Sequence, residues 1–287
     1  MFDKIVHASD GSKYAFLALT WALALAKQNN SELHIVCVEE VPYLPESIGE
    51  VSEALNSTRQ RIEGVFEQAR AIAEKYQVKL NTHVITGHPV RDIVTLAADL
   101  EADLLVIGAR GHSSFYQRMI GSKADRMVQL AKCPVLVVKE DEAKVTGPMF
   151  GKILHANDGS KSALRGLSIA LAIARQNQSE FHMVSVEEAP YSPGASNEAR
   201  QPTGDIARRI EELVQRARAM ADEQQVQIHA HAIKGHPVRD IVNLAVHLGA
   251  DLLVIGAVGH TALFERLIGS RANQLMQLAR CPVLIVK

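Results

Sequence analysis

Two groups of residues, each occurring twice, have the types and spacing to hold an anion. The first copy is Asp10-Gly11-Ser12, then Gly108-Ala109-Arg110-Gly111, then Gly121-Ser122, with nine residues between the last two in a G-x-x-G-x9-G-S pattern. The second copy is Asp158-Gly159-Ser160, Gly256-Ala257-Val258-Gly259 and Gly269-Ser270. Glycines let a ligand approach the backbone and expose successive N–H donors to it. A serine opening a helix can cap it and offer its hydroxyl, beside the partial positive charge of the helix N-terminus. Hydrogen bonds to a charged partner contribute roughly 1.5–3 kcal/mol each and the dipole about 0.3–1. Three or four such donors reach micromolar binding, which needs about 8 kcal/mol, only with contacts to a base as well. Asp10 can accept from ribose hydroxyls or hold a magnesium ion. The same residue types also serve structure alone, as tight turns and helix caps.

The elements that must position these residues follow from a repeat. At an offset of 148 the two halves align without a gap: SDGS at 9–12 with NDGS at 157–160, GHPVRDIV at 87–94 and 235–242, ADLLVIGA at 102–109 and 250–257. Across 84–112 against 232–260, 22 of 29 residues are identical, which makes this a domain duplication rather than a solenoid of short units. The spacing predicts domains at 1–140 and 149–287 joined by a linker at 141–148. In the first half, strands fit 3–8, 33–39, 79–85, 103–108 and 134–139, and helices fit 12–29, 53–77, 89–100 and 122–131. LLVIG and VLVVK are apolar on both faces, as parallel strands covered on both sides require. The fold class is therefore α/β, two tandem doubly wound domains. In such sheets ligands sit beyond the carboxyl ends of the strands. The Pro- and Gly-bearing loops at 40–52 and 188–204 are surface linkers or lids.

Composition excludes several classes. With 31 basic and 32 acidic residues in 287, the chain has no broad attraction for nucleic acid or anionic membrane. Its longest strongly apolar run, 14–26, is too short to span a bilayer, and the N-terminus lacks a signal-peptide core, so the expected location is cytoplasmic. Cys37, Cys133 and Cys281 are too scattered for a disulfide framework. Twelve histidines form no metal-binding motif and are read as structural, with His112 and His260 placed beside the glycine loops. The sequence lacks the phosphate-binding loop of P-loop enzymes, a G-x-G-x-x-G after the first strand and a G-x-S-x-G elbow. Arg91-Asp92 and Arg239-Asp240 read as local ion pairs, and Trp21 as core.

At the glycine–serine set the chain resembles the universal stress protein family, as a tandem member of its ATP-binding type; DGS after the first strand and CPVLVV in the last also fit. The resemblance covers both halves. It implies five-stranded parallel sheets in the order 3-2-1-4-5. It also implies that Asp10 faces a ribose, that Val38 meets adenine through its backbone, and that Gly108, Arg110, Gly111, Gly121 and Ser122 surround ribose and phosphates. The matching set is Asp158, Val186, Gly256, Gly259, Gly269 and Ser270. Val258 stands where the first half has Arg110, so the second site is expected to keep its backbone donors but bind more weakly, or select a less charged nucleotide. Lys123 and Arg271 keep a cation beside each serine. The apolar final strands CPVLVVK and CPVLIVK are edges that could pair around a pseudo-twofold axis, giving an intramolecular dimer; a homodimer of chains is not readable. The expected function is a stress-response regulatory protein that binds ATP, or AMP or ADP, and answers to a protein partner. Its rivals are a slow ATP-hydrolysing or adenylyl-transferring enzyme, for which no catalytic set is found, and a nucleotide-free scaffold.

Overall fold

A computed structural model describes residues 1–40, 48–111, 120–139, 150–188, 204–259 and 268–287, the side chains of 48–56 and 205–206 excepted. The chain divides into two compact units, Met1–Lys139 and Glu140–Lys287. The first contains β1 (Lys4–Ala8), α1 (Lys13–Asn29), β2 (Glu32–Glu39), α2 (Ile48–Tyr76), β3 (Leu80–Thr86), α3 (Pro89–Asp99), β4 (Leu104–Gly108), α4 (Ser122–Leu130) and β5 (Val135–Val138). The second repeats them as β6 (Lys152–Ala156), α5 (Lys161–Asn177), β7 (Glu180–Glu188), α6 (Asp205–Glu223), β8 (Ile228–Gly235), α7 (Pro237–Leu248), β9 (Leu252–Gly256), α8 (Ser270–Leu278) and β10 (Val283–Val286).

Within the first unit the strands lie in the order β3-β2-β1-β4-β5, and within the second β8-β7-β6-β9-β10, the expected 3-2-1-4-5 arrangement. Pairing inside each unit is parallel, with Ile5 opposite both Leu33 and Leu104, and Ile153 opposite both Phe181 and Leu252. The central strands are buried because helices cover both faces. In the first unit α1 packs on β1 and β4 and against α2, while α3 packs on β2 and against α4. Ile5, Leu33, Leu104 and Leu105 have no exposed surface, so these apolar runs form the core.

The helix ends are set locally. Ser12 and Ser160 cap α1 and α5, accepting from the N–H of Ala15 and Ala163 at 3.2 Å. Asn30 ends α1 in the left-handed conformation at φ 53°. The recurring GHPVRD is a cap: Pro89 opens α3 and Asp92 accepts from the His88 N–H at 2.6 Å. A Cβ at Gly87 would come within 2.1 Å of Asp92 Oδ2, so the glycine makes room for that carboxylate. The aspartate of ADLLVIG ties strand starts together, Asp103 Oδ2 accepting from the N–H of Lys4 at 2.9 Å and Asp251 Oδ2 from that of Lys152 at 2.6 Å.

Two expectations change. Helix α2 begins at Ile48, inside the stretch read as loop, because the lone Gly49 is tolerated within a long helix. Trp21 is half-buried on α1 rather than core. Residues 41–47 of that loop, residues 189–203 of its counterpart, the linker, His112 and His260 lie outside the described residues. Among the described residues no helix is long and apolar enough to cross a membrane.

Candidate functional site

The strand order reverses between β1 and β4, so the chain leaves these two strands in different directions and opens a crevice at their carboxyl ends. A cleft of about 290 Å³ lies there in the first unit, and one of about 460 Å³ in the second. Small-molecule sites occupy roughly 300–1,000 Å³. Asp10, Val38, Gly108, Arg110, Gly111, Gly121 and Ser122 all line the first cleft. Asp158, Val186, Gly256, Gly259, Gly269 and Ser270 all line the second. Each cleft therefore gathers its whole predicted set from three separate strand ends and one helix start.

The turn after β1 is fixed by its own residues. Gly11 takes φ 77° and Gly159 φ 80°, which a side chain would strain. Asp10 Oδ1 accepts from the Ser12 N–H at 2.9 Å, and its Oδ2 reaches the β4 loop, where a Cβ on Gly111 would lie 2.3 Å away. Asp158 repeats both relations, at 2.9 Å to Ser160 and 2.9 Å from the Gly259 Cβ position. Gly108 is required by packing, because a Cβ there would lie 2.8 Å from the Tyr14 backbone.

Gly121 and Gly269 differ from these. Their backbones sit at φ −64°, which any residue adopts, and the nearest atoms to an added Cβ are 3.7 and 3.5 Å away. Nothing in the described protein requires a glycine at either position. Each is the N-cap of its helix, with no side-chain cap bond, and donates its N–H to Ala109 or Ala257 at 2.8 and 2.7 Å. Ser122 and Ser270 are the first helical residues rather than the caps. The expected capping role is therefore corrected: a serine inside the helix start cannot reach the first-turn N–H groups as an N-cap does. Both serines are exposed at the cleft, beside first-turn N–H groups that have no intrahelical acceptor.

The surrounding charges include residues that the motif reading missed. Arg61 on α2 lines the first cleft and donates to the Asp10 carbonyl at 3.3 Å; its counterpart Arg209 lies 3.8 Å from Glu187. Lys123 pairs with Glu40, and Arg271 with Glu188 at 2.6 Å, each joining a residue at or just past a β-strand end to a helix start. The signal was the repeat itself, since all these positions match at the 148-residue offset, but α2 and α6 were read only for their apolar spacing. Arg110 donates to the Tyr14 hydroxyl at 3.0 Å and lies 5.4 Å from the centre of its ring. In the second unit Ser162 replaces Tyr14: its hydroxyl donates to the Val258 carbonyl at 2.7 Å and accepts from the Val258 N–H at 3.3 Å. That N–H is engaged within the protein, which corrects the expectation that the second loop keeps all its backbone donors.

The universal stress protein family model matches residues 1–139 and matches again at 149–287. The chain belongs to the universal stress protein family. A universal stress protein of Mycobacterium tuberculosis is 25% identical over 296 residues, covering 99% of this chain and 96% of that one. One from Methanocaldococcus jannaschii is 33% identical over 142 residues, 49% of this chain and 84% of its own length. The crystal structure of a universal stress protein from Archaeoglobus fulgidus superposes with a TM-score of 0.76 at 20% identity, covering 99% of this chain and 98% of that one, a likeness of fold.

Outside the clefts this universal stress protein carries several buried or paired polar groups. His7 and His155 are fully buried on β1 and β6, and each must carry its proton on Nδ1, because it donates to a carbonyl, Val106 at 3.1 Å or Val254 at 3.2 Å. Burial lowers both to about 4. His34 lies 2.8 Å from His83, and His182 lies 3.0 Å from His231; burial lowers His34, His182 and His231. Arg91 and Arg239 pair with the adjacent Asp92 and Asp240. Among the described residues no three or more of His, Cys, Asp and Glu are gathered for a metal ion, and the three cysteines are not joined in disulfides.

Proposed function

We propose that this universal stress protein is a stress-response regulator that binds ATP or another adenine nucleotide in each unit. One observation carries the reading: Gly121 and Gly269 are glycines that neither backbone conformation nor packing among the described residues demands, placed as N-caps without a side-chain cap bond at helix starts that open into clefts. A glycine of that kind is explained by something that must approach the backbone from outside. A phosphate fits, since the first-turn N–H groups, the helix dipole and the Ser122 hydroxyl all favour an anion.

The rest of each cleft suits the remainder of a nucleotide. Val38, Ile62 and Val65 give the first an apolar wall for a base, and Val186, Ile210 and Leu213 do so in the second. Asp10 and Asp158 supply the carboxylates for ribose hydroxyls, or for a magnesium ion accompanying the phosphates. The proposed role is binding, with occupancy altering the surface offered to a protein partner.

Isothermal titration of the nucleotide-stripped chain with ATP and magnesium tests this. Saturable heat at one or two sites per chain, lost on combining Gly121→Val with Gly269→Val, is the expected result. No heat and no thermal stabilisation at millimolar ATP would overturn it.

A further inference from the structure

The two clefts share a frame but not a charge. Among the described residues the first is lined by three cations, Arg61, Arg110 and Lys123, and two carboxylates, Asp10 and Glu40. The second is lined by two cations, Arg209 and Arg271, and three carboxylates, Asp158, Glu187 and Glu188. Two changes account for the reversal. Arg110 becomes Val258, and the first glutamate of Glu39-Glu40 turns from a fully buried acid into a cleft-lining one: the Glu39 side chain is 1% exposed and absent from the first cleft, whereas its counterpart Glu187 is 33% exposed and lines the second.

The loss of the arginine is coupled to a second exchange. In the first unit Tyr14 holds the Arg110 guanidinium through its hydroxyl and ring face. In the second, Ser162 occupies the tyrosine's position and closes two hydrogen bonds on the Val258 backbone. The first unit thus positions a cation at its β4 loop, while the second engages a backbone donor internally. Each added phosphate gains from the first arrangement and meets one more carboxylate and one cation fewer in the second.

Resting on the nucleotide reading above, we infer that the clefts are divided by charge. The first takes the polyphosphate form of the nucleotide; the second takes a phosphate-poor form, a nucleoside or nucleoside monophosphate. Tyr14 with Arg110, and Ser162 with Val258, are the residue pairs that set this choice. One chain then holds both forms at once, and its pattern of occupancy follows their ratio.

The test titrates the full chain with ATP, ADP, AMP and adenosine, using Gly269→Val to leave the first cleft and Gly121→Val to leave the second. Through the first cleft ATP is expected to bind at least about tenfold more tightly than AMP; through the second, AMP is expected to bind at least as tightly as ATP. Adding Ser162→Tyr and Val258→Arg to Gly121→Val should restore the preference for ATP. Binding in both clefts with the same dependence on phosphate number overturns the division while leaving the nucleotide reading intact. Failure of the unaltered chain to bind any of the four overturns both.

Discussion

Acid should weaken each unit through one buried histidine. His7 and His155 have no exposed surface, and among the described residues their Nε2 atoms have no hydrogen-bond partner. Burial lowers each from 6.5 to about 4, so the folded chain refuses a proton that the unfolded chain accepts. Above pH 6.5 both states are neutral and nothing is lost. As pH falls from 6.5 towards 4, only the unfolded state gains protons, and stability declines with pH. At about 1.36 kcal/mol per pH unit, each unit loses about 2 kcal/mol by pH 5 and about 3 by pH 4. With a urea m-value of roughly 1–3 kcal/mol/M, the midpoint at pH 5 should lie about 1 M below that at pH 7. The assay is urea unfolding followed by circular dichroism at both pH values, on the wild type and on His7→Asn/His155→Asn. Asparagine keeps an N–H for the Val106 and Val254 carbonyls and does not titrate. The variant starts less stable at pH 7 but should shed most of the pH dependence; His34, His182 and His231, also lowered by burial, remain in both proteins and cancel in the comparison. An equal midpoint shift in the two proteins would refute the argument, as would an imidazole NMR titration of His7 centred near 6.5.

Further outcomes follow from the clefts and caps. Gly108→Ala should destabilise the first unit by about 1–3 kcal/mol in urea unfolding, because its Cβ would meet the Tyr14 backbone at 2.8 Å, whereas Gly121→Ala, with 3.7 Å of clearance among the described residues, should cost no more than about 1 kcal/mol, through the weaker N-cap alone. Ser12→Ala removes the cap of α1 and should cost about 1 kcal/mol in the same experiment. Ser122→Ala removes no cap, so it should leave stability alone and weaken ATP binding about tenfold or more in calorimetry.

The parts of the fold legible in sequence were those where local pattern and tertiary demand agree. LLVIG is apolar throughout because β4 is covered on both faces, and Pro89 and Gly11 mark a helix start and a turn that the backbone needs. The cleft glycines were legible as a set, but their separate reasons were not. Sequence spacing cannot tell Gly108, forced by a neighbouring backbone, from Gly121, forced by nothing inside the described protein. Arg61 was missed for a related reason: on α2 its polar position looks like any solvated helix face, and only the three-dimensional structure brings it beside Asp10. The exchange of Tyr14 for Ser162 was likewise invisible as a partner to Arg110 and Val258, since 96 residues separate each pair.

The bond from the Gly121 N–H to the Ala109 carbonyl, repeated from Gly269 to Ala257, draws the two ends of an interval of chain together at its base. That bond fixes the loop after β4 against the start of α4, and the loop after β9 against the start of α8. Each unit thus holds the two sides of its cleft joined before any ligand arrives, so the donors are already spaced and binding needs little rearrangement of the backbone.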